Sequence, residues 1–177
     1  MTRFARFALL ATGATALASC ATYDSAVERN AFASALVSFA DGTQAGTATL
    51  AREGDVALLR LDLSNLPGSD HAVHLHETGS CVAPDFTSAG GHLNPANRQH
   101  GFLDPRGAHM GDLPNLKPEN GRVDVTVPVR YPADDVEAAL ADADGTALII
   151  HAGPDDYRTD PAGAAGSRVA CGVFIAM

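Results

Sequence analysis

Valines at 123, 125, 127 and 129 take every second place in "RVDVTVPVR" (122–130). A period of two puts alternate side chains on one face of an extended strand, and no helix sustains it. Other stretches share the pattern. "AFASALVSFADG" (31–42) and "TATLAREGDVALLRLDLSNLPG" (47–68) alternate and break at "DG" and "EGD". "HAVHLHE" (71–77), "TALIIHA" (146–152) and "RVACGVFIA" (168–176) read as further strands, and "PADDVEAALADA" (132–143) has room for a short helical turn. Glycine (17) and proline (10) are scattered through the chain and Trp is absent, which favours a turn-rich β protein. The length of 177 residues fits one domain, and no internal repeat is present. The expectation is an all-β fold: an antiparallel Greek-key β-sandwich or flattened barrel with long loops.

The first nineteen residues stand outside that pattern. Arg3 and Arg6 precede an apolar run from Phe7 and then small residues, the pattern of a secretory signal. "LASC" (17–20) resembles a lipobox, in which Cys20 becomes the acylated first residue. Ala21 after Cys20 resembles the outer-membrane pattern, and the alternative is cleavage near Ala18 with Cys20 a spare thiol. The expected layout is a signal peptide over 1–19, a polar tether over 20–30 and the folded domain over 31–177. The expected place is the periplasm or cell envelope, with the membrane touched only through Cys20.

Three cysteines, Cys20, Cys81 and Cys171, form an odd set for an exported chain. Acylation of Cys20 leaves Cys81 and Cys171 to pair in an oxidising compartment, or to stay as buried thiols. The formal charge is −9, and Lys117 is the single lysine. No basic stripe exists, so nucleic acid is not an expected partner.

From Thr78 to Gly121 no periodicity survives. A loop that long inside a compact domain usually has a function. All seven histidines lie between His71 and His151. On a strand His74 and His76 share a face, and two imidazoles at that spacing can grip one metal ion. His71 points the other way, as a hydrogen-bonded structural residue. The loop holds His92, His100 and His109, and Asp112 follows His109 by three. Three histidines and an aspartate can form a closed four-coordinate site that suits zinc. His151, at the end of "LIIH", could meet His74 and His76. Several imidazoles favour copper or zinc, and spacing alone assigns neither to a place.

The strings "HAVHLHE", "SAGGHLNP", "RQHG", "HMGDLPN", "LIIHAGPDD" and "GSRVACGV" together resemble the copper/zinc superoxide dismutases, in their bacterial exported form, over roughly residues 30–177. The resemblance implies one copper on His74, His76, His92 and His151, and one zinc on His92, His100, His109 and Asp112. His92 would bridge the two ions and act as ligand and general acid. Asp155 matches the aspartate that joins the two sites by hydrogen bonds, where the residue alone reads as a solvated loop acid. Arg168 matches the arginine that docks the superoxide anion, and Cys81 and Cys171 match the family disulfide. The implied activity is dismutation of superoxide to O2 and hydrogen peroxide by redox-cycling copper, protecting the envelope.

Two features depart from that picture or leave it open. Many family members carry lysines between the last copper ligand and the arginine, whereas residues 152–167 hold Asp155, Asp156, Asp160 and only Arg158. The oligomeric state, a homodimer included, is open. The alternatives are a non-catalytic envelope protein that binds copper and zinc on the same fold, and a zinc-only hydrolase or structural module. An inactive carrier is expected to lose Arg168 or a copper histidine, and this chain keeps both.

Overall fold

A computed structural model describes residues 27–177; the expected signal peptide, Cys20 and most of the tether lie outside the described residues. Among the described residues, eight antiparallel strands fall on the stretches expected as strands: β1 (Ala31–Phe39), β2 (Gln44–Glu53), β3 (Val56–Leu63), β4 (Val73–His76), β5 (Val123–Pro132), β6 (Ala147–His151), β7 (Arg168–Val173) and β8 (Ile175–Ala176). A helix, α1 (Ala133–Leu140), occupies the stretch read as a helical turn. The fold is all-β, as the alternation implies.

The sheet runs β4-β6-β7-β1-β2-β3-β5, with β8 beside β1. The neighbours β4–β6, β1–β7 and β3–β5 are not consecutive, and they mark the long crossings of a Greek-key arrangement. Leu50, Leu59, Leu61, Leu63, Leu75, Leu148 and Ile150 are fully buried in one main core. Small residues such as Ala35, Ala48 and Ala57 fill it between them. Val123 and Val129 are buried, but Val125 is 38% exposed, because β5 ends the sheet. Pro128 is tolerated there, since an edge strand can spare an N–H.

Val27, within the stretch expected as a tether, packs on Ala51 and Leu58. Among the described residues, packing therefore includes Val27.

The other end of the sheet positions the site. β4 pairs with β6 on one side only, and an unpaired edge exposes a row of backbone groups. The long loop covers that edge. Leu75 donates to Gly111 O at 2.9 Å, and Leu93 donates back to Leu75 O at 2.8 Å. Isolated bridges join His71 to Leu116, His74 to Asp112 and His76 to His92. At Gly111 a Cβ would overlap Leu75 O, so only glycine permits this approach. The aperiodic loop is thus laid along β4, and its side chains are delivered to the two histidines that β4 carries.

Candidate metal centre

His74 and His76 leave β4 on one face, and both are buried. His151 ends β6, the strand paired with β4, and its ring centroid lies 4.9 Å from that of His74. His92, from the loop, stands 3.9 Å from His74 and 5.0 Å from His76 by the same measure. The four rings form one cluster whose ligand atoms lie within 4.8 Å of one another.

Hydrogen bonds choose the nitrogen that faces inward. His76 donates Nδ1–H to Gly90 O at 3.0 Å, and His151 donates Nδ1–H to Gly166 O at 3.1 Å. His74 donates Nε2–H to Asp155 Oδ2 at 2.9 Å. The nitrogens left without a hydrogen-bond partner are His74 Nδ1, His76 Nε2, His92 Nε2 and His151 Nε2, all buried. A buried unpartnered nitrogen is costly in protein alone, and four converging lone pairs are what a cation needs. Burial also keeps these rings neutral: it lowers the pKa of His74 to about 3, of His76 to about 2 and of His151 to about 4. Neutral imidazole is the ligating form.

The second cluster is His92, His100, His109 and Asp112. Asp112 Oδ1 lies 3.0 Å from His92 Nδ1, 3.1 Å from His100 Nδ1 and 3.2 Å from His109 Nδ1; the two Nδ1 atoms of His92 and His109 are 3.4 Å apart. A tetrahedron with bonds of about 2.0–2.1 Å has edges of roughly 3.3 Å. His100 Nδ1, although 3.1 Å from Oδ1, makes no hydrogen bond, as a lone pair aimed at a common centre would not. Asp112 Oδ2 is held by the N–H groups of Gly101 (2.8 Å) and His109 (2.9 Å), leaving Oδ1 to the cluster. Burial works against the Asp112 charge, but the close approach of His100, His109 and His92 to the carboxylate outweighs it and holds the carboxyl well below its usual range. The donor set of three nitrogens and one oxygen fits zinc, and four imidazoles fit copper.

His92 belongs to both clusters, Nδ1 in one and Nε2 in the other. Asp155 joins them from outside: Oδ2 accepts from His74, and Oδ1 accepts from His100 Nε2 at 2.9 Å. Arg168 opens β7 opposite His151. Its Nη1 donates to Phe86 O and its Nη2 to Gly90 O, both at 2.6 Å. Burial lowers its pKa, Asp85 opposes that, and its charge is felt at both His76 and His151.

The disulfide Cys81–Cys171, with Cα atoms 5.7 Å apart, ties this part of the loop to β7. Closing a loop of 90 residues stabilises by about 4–5 kcal/mol in the chain-entropy treatment. His71 stays out of both clusters; it is buried, and its Nδ1–H donates to His151 O at 2.7 Å.

The sequence carries its own decision. Residues 44–174 match the family model described as copper/zinc superoxide dismutase. The chain belongs to the copper/zinc superoxide dismutase family. It is 46% identical over 136 residues to "Superoxide dismutase [Cu-Zn] 1" of Aquifex aeolicus, covering 75% of this chain and 80% of that one. It is 42% identical over 149 residues to the Cu-Zn enzyme of Caulobacter vibrioides, covering 80% and 84%. A crystal structure of a SOD-like protein from Bacillus subtilis superposes with TM-score 0.73 at 37% identity, over 79% of this chain and 96% of that one. The superoxide dismutases of this family use copper and zinc, and the two clusters are suited to hold them.

Several residues of this dismutase site escaped sequence reasoning. Gly90 and Gly166 act through backbone carbonyls, which leave no side-chain signal. Asn115 and Tyr157 hold Asp155 in place, and nothing in their spacing points to that. Gly163 sits directly over the Asp155–His100 hydrogen bond; its φ of +64° marks a position that favours glycine.

Proposed function

We propose that this chain dismutes superoxide, with copper held by His74, His76, His92 and His151 and zinc by His92, His100, His109 and Asp112. The observation that carries the reading is His92, one ring whose two nitrogens face two differently composed donor sets. When bound, copper supplies one-electron exchange that turns two superoxide anions and two protons into O2 and hydrogen peroxide, and zinc supplies a fixed charge without redox chemistry.

The protein's own residues supply the rest. Arg168 keeps its charge at any working pH and presents a planar donor fork, which suits a small anion. With Nη1 and Nη2 committed to Phe86 and Gly90, the guanidinium stands fixed beside His76 and His151. His92 Nε2 is the atom placed to hold and release a proton. Burial lowers the His92 pKa, so a proton taken there is held weakly and passes readily to a departing peroxide. Asp155 fixes the tautomers of His74 and His100 together, so both clusters keep their bare nitrogens inward.

The reading includes a place of work. Export by residues 1–19 and a lipid on Cys20 put the enzyme in the cell envelope, where it intercepts superoxide outside the cytoplasm. "LASC" supports this, and Cys20→Ala tests it: the variant should move from the membrane to the soluble fraction with its activity intact.

The bridge is tested by loading copper(II) into both clusters. A shared imidazolate couples the two unpaired spins, so the electron paramagnetic resonance signal of two isolated copper ions should be lost. Two independent signals would contradict a shared His92.

A further inference from the structure

Tyr157 lies two residues beyond Asp155 with φ 62°. This left-handed conformation is an outlier for a bulky side chain. Contacts at four points hold it there. Its N–H donates to Asp155 Oδ1 at 2.6 Å, and its carbonyl accepts from Leu103 N–H at 3.0 Å. Its phenol oxygen accepts from the backbone N–H of Asn115 at 2.7 Å. Its ring stacks on Phe102 with centroids 5.4 Å apart, and Phe102 also carries the Arg130 guanidinium, 3.9 Å from the ring centre.

Asn115 passes this constraint on. Its Nδ2 donates to Asp155 O at 2.9 Å, and its Oδ1 accepts from Asp155 N–H at 2.8 Å. Tyr157 therefore reaches Asp155 twice: directly at the carboxylate, and through Asn115 at the backbone. The carboxylate so held is the one that orients His74 and His100.

We propose that Tyr157 is a positioning residue for the Asp155 carboxylate, and through it for the ring poses of His74 and His100. This rests on the metal-binding reading above. A conformation unfavourable for tyrosine persists because ring, phenol and both backbone groups are all engaged around the bridging carboxylate. The aromatic stack ties the bridge to β5 through Arg130, so the pose of both clusters is braced from the far edge strand.

The test is a double-mutant cycle read out as zinc affinity, by competition with a chromophoric chelator. Tyr157→Phe keeps the ring and the N–H and removes only the phenol oxygen. It should weaken zinc binding by about tenfold, the range seen when a partner of a ligating histidine is disturbed. It should also shift the copper(II) hyperfine splitting in the electron paramagnetic resonance spectrum. In an Asp155→Ala background the same change should cost less than about twofold, since neighbours acting through one group are not additive. Equal losses in both backgrounds, or a Tyr157→Phe protein with wild-type zinc affinity and spectrum, would overturn the inference alone. A wild-type chain that takes up no zinc would overturn the metal-binding reading and this inference with it.

Discussion

Arg168 and His76 hang from one atom: the Gly90 carbonyl accepts Arg168 Nη2 at 2.6 Å and His76 Nδ1 at 3.0 Å. The cation beside the site and a ring of the four-histidine cluster are therefore registered to each other by the loop. Arg168→Lys keeps the charge but cannot span the Phe86 and Gly90 carbonyls with a planar fork. Dismutation should fall severalfold, with copper and zinc content unchanged. Arg168→Glu places repulsion where the anion docks, and the rate should fall on the order of a hundredfold. Metal analysis beside rate measurement checks both; loss of copper in either variant would show that Arg168 holds the site together rather than docking substrate.

Gly163 offers a sharper test of the Asp155 link. A Cβ there would overlap Asp155 Oδ1 and stand 2.8 Å from His100 Nε2. Gly163→Ala should break the Asp155–His100 hydrogen bond and weaken zinc affinity by roughly 10–100-fold. The variant chain with wild-type zinc affinity would show that this hydrogen bond does not tune the cluster.

These positions also mark what could be read from residues alone. Alternation located β1, β2, β3 and β5; β6 was read from an unbroken apolar run, β7 and β8 were read as one stretch, and the shared face of His74 and His76 followed from a period of two. Val125 is the exception: it alternates like its neighbours but stays exposed, because nothing in a local pattern says that β5 ends the sheet. The loop is different. Spacing could offer His92, His100, His109 and Asp112 as a donor set, but only family resemblance could make His92 common to two sets. Tyr157, Asn115 and the Gly90 carbonyl were illegible, because their roles depend on which segments the fold lays side by side.

The metal-free protein should show a defined response to pH. His74, His76 and His151 are held below the value of about 6.5 that an unfolded imidazole has, chiefly by burial. As pH falls below about 6.5, the unfolded chain binds protons that the folded chain refuses, and stability drops. His100 runs the other way. Burial works against its charge, but the facing Asp112 carboxylate and the hydrogen bond to Asp155 raise its pKa to about 9. Its contribution is complete below about 6.5 and is lost as pH rises towards 9. Urea midpoints of the chelated protein should be highest near pH 6.5 and lower at both pH 5 and pH 9. A midpoint that rises between pH 6.5 and pH 5 would contradict the burial of neutral rings.

Asp85 is the acid whose charge reaches Arg168. In a chain of net charge −9 it adds local repulsion to an anion's approach. Asp85→Asn should raise kcat/KM at low ionic strength. The gain should shrink as salt shortens the Debye length to about 10 Å at 0.1 M. A salt-independent change would mean that Asp85 acts by shaping the loop rather than by its charge.

The central claim is that the four-histidine cluster turns bound copper into a superoxide dismutase. The most direct measurement is the decay of a superoxide pulse in the presence of protein loaded with zinc alone or with copper and zinc. The account predicts catalytic decay with both metals, proportional to the copper bound, and none above background with zinc alone. Protein with both clusters filled that leaves the decay unchanged would contradict it.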